Sequence, residues 1–243
     1  MTARILLLAG TTEARALAKT LDGMPGIGVI ASLAGVTREP APIAGQLRVG
    51  GFGGAAGLEA FLHAEGIAAL IDATHPFATQ MTRNAAEACA AAKIARLRLI
   101  RPPWDGDWQE VGSIHAAARA LPTGARAFIT TGRKELGPFA SRTDITGVVR
   151  FIEPVADLPP HLTQVTARPP FPIESELALM REQAISHLVS KNAGGAARAK
   201  LDAAGELGIP MIMVARPSQP PGPTAHSVEE AVGWVHAMVA TGP

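Results

Sequence analysis

Strand-like and helix-like segments alternate along the entire chain. That order implies an α/β architecture with mainly parallel sheets, and it argues against a sandwich or a helix bundle, whose elements come in runs of one kind. In the first half, strands are expected at Ile5–Ala9, Gly28–Ser32, Gln46–Val49, Ala68–Asp72 and Arg96–Ile100, with helices beginning near Thr12, Leu58 and Pro76. Pro76 suits a first helical position, and the alanine-rich body behind it ends near Ala92.

Arg101, Pro102, Pro103 and Trp104 then interrupt the pattern, because consecutive prolines neither continue a helix nor donate to a ladder. Beyond them, strands are expected at Trp108–Val111, Ala127–Thr131, Val148–Ile152, Gln164–Ala167, His187–Ser190 and Met211–Ala215. Helices are expected over Ile114–Leu121, Glu174–Gln183, Ala196–Leu207 and Val228–Val239. The chain thus reads as two Rossmann-like, doubly wound domains, residues 1–103 and 104–243, with an interdomain cleft of the kind that takes small molecules. The proline-rich piece Pro217–Pro223 reads as a rigid surface loop.

Composition narrows the chemistry. The 243 residues include one cysteine, Cys89, and no tyrosine, so an internal disulfide, a cysteine cluster and a tyrosine acid are all excluded. A reducing compartment follows. No histidine pair has metal-ligand spacing, and no metal is expected. A net charge of +1 gives no support for nucleic acid, which needs a concentrated basic surface. The apolar run Ile5–Ala9 stops at Gly10, with Glu13 and Arg15 close behind, too short for a leader or a membrane span, so a cytoplasmic protein is expected.

In open α/β sheets, ligands sit at the carboxyl ends of strands where the strand order reverses. With order 3-2-1-4-5 in the first domain, the loops there are AGTTEAR (Ala9–Arg15) and DATHPFA (Asp72–Ala78). Gly10 permits a tight turn, and Thr11, Thr12 and Glu13 open a helix whose amides suit an anion such as phosphate; the alternative is that a threonine merely caps the helix. Thr74 and His75 lie in the second loop. His75 either orients a cofactor amide, transfers a proton, or caps a helix.

After the second strand stands Ser32, followed by Arg38, a hydroxyl and a guanidinium suited to a 2′-phosphate and hence to NADP over NAD. Gly51, Phe52, Gly53, Gly54, Ala55 and Ala56 read as GxGxxA, with Asp72 at 21 residues from Gly51. This fingerprint follows the third strand rather than the first. Its glycines Gly51 and Gly53 are instead candidates for backbone approach to a ligand. In the second domain TTGRKEL (Thr130–Leu136) and SKNAGG (Ser190–Gly195) each couple a basic residue to glycine before a helix. Arg133, Lys134 and Lys191, with Asn192, Gly194 and Gly195, are candidates for holding carboxylates or phosphates.

Taken in order, LLAGTTEAR, SLAG, VGGFGG, DATHPFA, RPPW, TTGRKEL, SKNAGG, AKLDAA and MVARP resemble the precorrin-6A reductases of cobalamin biosynthesis over nearly the whole chain. The resemblance implies an NADPH-dependent reductase that delivers hydride to a conjugated, anionic tetrapyrrole, converting precorrin-6A to precorrin-6B, with two Rossmann-like domains around the macrocycle. It implies NADPH on the first domain, its pyrophosphate at Gly10–Thr12 and its nicotinamide near Thr74 and His75. Handover of product to neighbouring pathway enzymes is a further expectation. The chain departs from the pattern at Ala9, where a second glycine is expected, at Val36 and Thr37, where an arginine would follow SLAG, and at Ala193, where serine is common. Arg38 then stands in for that arginine. Competing readings are the same reaction on the cobalt-containing intermediate, a non-catalytic tetrapyrrole or nucleotide-binding module, and a methyltransferase of the same pathway.

Overall fold

A computed structural model of the chain describes residues 2–34, 42–168 and 170–241. Contacts divide it into two units, one comprising residues 1–102 with 217–243 and the other residues 103–216.

Unit 1 begins with β1 (Ala3–Leu8), α1 (Thr12–Asp22), β2 (Ile27–Leu33), β3 (Gln46–Val49), α2 (Gly54–Ala64), β4 (Ile67–Asp72), α3 (Thr79–Ala92) and β5 (Ala95–Leu99). Unit 2 contains β6 (Gln109–Val111), α4 (Ile114–Ala120), β7 (Arg126–Ile129), a 3-10 turn at Arg133–Glu135, α5 (Gly137–Ala140), β8 (Thr146–Phe151), β9 (Leu162–Thr166), α6 (Ile173–Glu182), β10 (His187–Lys191), α7 (Ala199–Glu206) and β11 (Met211–Val214). The chain then returns to unit 1 with β12 (Thr224–Ala225) and α8 (Val228–Thr241).

Both sheets are six-stranded and parallel, in the orders β12-β5-β4-β1-β2-β3 and β6-β11-β10-β7-β8-β9. Unit 1 therefore has the expected order 3-2-1-4-5 with β12 added at the edge. Unit 2 repeats that order with β7 as its first strand, and its added edge strand, β6, precedes the others in sequence. Strand order reverses between β1 and β4 in unit 1, and between β7 and β10 in unit 2.

The expected contiguous division at 103/104 is corrected at its C-terminal end. Residues 217–243 belong to unit 1, because β12 pairs with β5 and α8 buries Ala231 and Val235 in the cluster that also holds Leu17 and Leu21 of α1. The proline-rich segment is the return path. Its Pro223 carbonyl accepts the Arg98 N–H at 2.9 Å, and its Pro221 carbonyl accepts Arg96 Nη2 at 2.8 Å.

Local signals account for most boundaries. Thr11 caps α1 by accepting the Ala14 N–H at 3.1 Å, Glu13 lies in the first turn, and Ala14, Leu17, Ala18 and Leu21 form the buried stripe. Helix α2 starts at Gly54 rather than near Leu58, behind a left-handed Gly53 (φ 82°). A Cβ at Gly57 would overlap the Phe52 carbonyl, so the loop lies directly against the first turn of α2. Helix α3 starts at Thr79 rather than Pro76, because the Ala78 N–H donates to the His75 carbonyl at 2.8 Å and closes a turn there. Among the described residues no helix is long and apolar enough to cross a membrane.

In unit 2, Arg150 of β8 makes a bidentate pair with Glu176 of α6 at 2.7 and 2.6 Å, both side chains largely buried, and its guanidinium lies over Phe128 and Phe171. Removing one member of such a pair leaves a buried charge uncompensated. Glu176→Ala is expected to lower stability by about 3–5 kcal/mol in urea denaturation. Asp202→Ala, which breaks only the exposed pair with Arg198, is expected to cost less than about 1 kcal/mol.

The lone thiol, Cys89 of α3, is buried, and desolvation pushes its pKa from 9.0 to about 11, against a smaller downward pull from Arg96. With the folded value above the unfolded one, the neutral thiol's contribution is complete below about pH 9 and is lost as pH rises towards 11. At pH 8 the native protein is expected to react with Ellman's reagent far more slowly than the denatured chain, which should yield one equivalent.

Candidate functional site

The unit 1 loops expected at the switch point do converge there. Asp72, the last residue of β4, is the register partner of Arg98 on β5, and both side chains are sealed from solvent. Asp72 Oδ1 accepts Arg98 Nη1 at 2.8 Å, Thr74 Oγ1 at 2.7 Å and the Thr74 N–H at 3.1 Å. Arg98 Nη1 also donates to the Asp72 carbonyl at 2.8 Å, and Nη2 donates to the Thr74 carbonyl at 3.2 Å. Burial pushes the Arg98 pKa down while Asp72 opposes the shift. The backbone and hydroxyl of Thr74 are thereby committed within the protein, so this residue positions the loop that follows.

His75 comes next, half-buried, with Nδ1 accepting the Phe77 N–H at 3.3 Å and its ring tilted against Phe77. In the neutral ring that bond places the proton on Nε2. Across from it, Thr11 Oγ1 donates to the Ala73 carbonyl at 3.0 Å while accepting the Ala14 amide, which ties α1 to the end of β4. A Cβ on Gly10 would lie 3.9 Å from both the Thr74 Cα and the His75 nitrogen, in the space between the two loops. Thr12 is exposed, and the amides of Thr12 and Glu13 in the first turn have no intrahelical acceptor. Glu13 pairs with Arg101 at 2.8 Å, and both line a small groove with Thr11, Thr74, Pro76 and Ile100.

Ser32 lies one strand further along, buried near the end of β2, opposite Leu8 on one side and Arg48 on the other. Gly51 and Gly53 follow β3, two strands from β1 or about 10 Å at ordinary strand spacing, and so apart from His75. Arg38 lies outside the described residues.

Unit 2 brings its two expected loops together at its own switch point. Thr130 Oγ1 donates to the Val189 carbonyl at 3.1 Å, and Lys191 Nζ donates to Glu135 at 2.8 Å. Arg133 and Lys134 are exposed on the 3-10 turn, with no hydrogen bond or ion pair to a described residue. Asn192 is buried and clamps the Trp104 backbone, its Oδ1 accepting the N–H at 2.8 Å and its Nδ2 donating to the carbonyl at 3.0 Å. Its side-chain amide thus braces the chain at Trp104. Gly194 and Gly195 adopt φ values of 69° and 77°, open to few residues but glycine. The Gly195 carbonyl accepts Trp104 Nε1 at 2.7 Å, and Arg216 donates to the carbonyls of Asn192 and Ala193.

Arg98, Arg101, Trp104 and Arg216 received no role from the sequence. For Arg98 a signal existed, since a charge within the apolar stretch RLRLI must find a partner if that strand is buried. Among the described residues, no group of three or more His, Cys, Asp or Glu side chains could hold a metal ion.

Comparison with known proteins bears on the whole chain. It is 46% identical to a precorrin-6A reductase of Rhodococcus erythropolis over 243 aligned residues, covering 97% of this chain and 98% of that one. It is 43% identical to a precorrin-6A reductase of Rhodobacter capsulatus, covering 98% of each. A solved structure of a CobK precorrin-6A reductase superposes with a TM-score of 0.91 at 41% identity, covering 98% of this chain and 97% of that one. Residues 4–236 match the family described as Precorrin-6x reductase CbiJ/CobK, so the paired switch-point loops are those of a chain that belongs to this family.

Proposed function

We propose that the protein reduces a conjugated double bond of precorrin-6A, using NADPH, to give precorrin-6B in corrin-ring biosynthesis. Full-length identity of 46% to a relative named for that reaction carries the reading. The residues of unit 1 fit the cofactor. The α1 N-terminus has amides suited to a pyrophosphate, Gly10 (φ 156°) leaves the space between the loops without a side chain, and Ser32 lies near the end of β2, where an adenosine ribose would be expected. When bound, NADPH supplies the hydride.

The chain's own residues then have separable tasks. Arg101 neutralises Glu13, which would otherwise repel a phosphate at the α1 N-terminus. The Asp72–Arg98 pair and Thr74 hold the loop so that His75 is carried at the switch point. With Nδ1 accepting the Phe77 amide, the neutral His75 ring carries its proton on Nε2, the tautomer that orienting a nicotinamide carboxamide requires. In unit 2, the exposed Arg133 and Lys134, beside the Lys191–Glu135 pair and the glycine turn at Gly194 and Gly195, supply cations for the acetate and propionate groups of the macrocycle. A cytoplasmic, reducing compartment fits a single buried thiol.

The reaction itself is checked by loss of NADPH absorbance on mixing with precorrin-6A; no loss, or turnover restricted to the cobalt-loaded substrate, overturns this assignment. His75→Ala is expected to lower kcat about 10-fold or more, while His75→Gln, which keeps a donor near the Nε2 position, stays within about threefold with an unchanged pH profile. Loss of a pH limb in His75→Gln would make the residue a proton donor instead. Arg133→Gln combined with Lys134→Gln is expected to raise KM for the tetrapyrrole about 10- to 100-fold, leaving KM for NADPH unchanged.

A further inference from the structure

Arg48 is held in an unusual way for a half-buried arginine. It is the register partner of Ser32 across the parallel β2–β3 pair, so the two side chains share a face of the sheet. Its Nη1 donates to the Gly50 carbonyl at 2.6 Å and its Nη2 to the Gly51 carbonyl at 2.8 Å. The guanidinium carbon lies 3.8 Å from the centre of the Phe52 ring and 5.1 Å from that of Phe61. The head group therefore has one orientation, set by two carbonyls and two aromatic faces. None of these is an anion.

Arg4, Arg98, Arg101, Arg142, Arg150 and Arg198 each pair with a carboxylate, whereas no described carboxylate pairs with Arg48. Of five guanidinium N–H groups, two are used in these bonds and three are left to donate. Beside it, the Ser32 hydroxyl has no hydrogen bond to a described residue. A preoriented guanidinium with no carboxylate partner among the described residues, next to a hydroxyl at the end of a second parallel strand, is a donor set suited to a phosphate dianion. In a sheet of order 3-2-1-4-5 with pyrophosphate on α1, the end of β2 is where the adenosine ribose lies.

We propose that Arg48, with Ser32, binds the 2′-phosphate of NADPH and sets the preference for NADPH over NADH. This rests on the reading of unit 1 as the cofactor site. The glycine loop does not depend on Arg48 for its course, because the Gly50 N–H donates to the Leu33 carbonyl at 2.9 Å and Gly57 admits the Phe52 carbonyl against α2. A lost 2′-phosphate contact and a loosened loop are thus separable.

Isothermal titration calorimetry of the full chain with adenosine 2′,5′-bisphosphate and with 5′-AMP tests the assignment. The unaltered protein is expected to prefer the bisphosphate, and Arg48→Gln to lower its affinity for the bisphosphate about 10- to 100-fold while 5′-AMP binding stays within about twofold. Arg48→Lys keeps a charge without the fork and is expected to lose less. Ser32→Ala is expected to weaken the bisphosphate alone, by several fold, and Arg38→Gln to keep the preference. An equal loss of both nucleotides in Arg48→Gln would make Arg48 only a brace of the glycine loop, and an unchanged preference, or its loss in Arg38→Gln alone, would also overturn the assignment. If the unaltered protein binds neither NADPH nor the bisphosphate, the cofactor reading itself falls.

Discussion

Asp72 and Arg98 lie side by side on β4 and β5 where no water reaches them, and a charge pair in that position must satisfy its own protons and lone pairs from the surrounding chain. Thr74 meets part of that demand with its amide, its hydroxyl and its carbonyl, while Asp72 Oδ2 and Arg98 Nε have no hydrogen bond to a described residue. Once those groups are spent, the chain from Ala73 onward is no longer free to choose its path. It turns at His75, delays α3 to Thr79 and brings the His75 backbone close to Gly10, ahead of α1. The course of the chain at this switch point is therefore set by a buried charge pair.

Unit 2 reaches a comparable result with neutral groups. Asn192 occupies the loop after β10, and its amide clamps the backbone of Trp104, while Arg216 binds the two carbonyls that follow. Trp104 and Arg216 lie at the two ends of unit 2, where the chain enters and leaves. Both crossings are thus anchored on one glycine-containing loop. What this loop and its neighbour present outward is Arg133, Lys134 and the Lys191–Glu135 pair. A net charge of +1 conceals this division, with amides and an internally paired acid in unit 1 and exposed cations in unit 2.

Elements whose signal is local were legible. Thr11 with the Ala14, Leu17, Ala18 and Leu21 stripe marks α1, and the apolar runs of β1, β4 and β10 mark buried parallel strands. The start of α3 was displaced because Pro76 suits a helix start, yet the turn from His75 to Ala78 takes precedence. Strand β12 went unseen, since two residues behind a proline-rich loop carry no periodicity, and with it went the membership of α8 in unit 1. At the site, residue types were legible but their duties were not. Thr74 and Asn192 read as ligand groups from their loops, and the fold adds that each braces its loop, together with Arg98 and Trp104, which carried no assignment.

By itself, the sequence determined the α/β class, the four strand-end loops, the chemistry those loops can present, and the family. Hydrophobic periodicity and turn residues are properties of neighbouring positions, so they survive in one dimension. Only the tertiary structure decided which polar group satisfies which. Arg98 meets an aspartate 26 residues away, and Trp104 an asparagine 88 residues away. Burial makes most such groups find a partner, but no local pattern names the partner. That choice belongs to strand order and register.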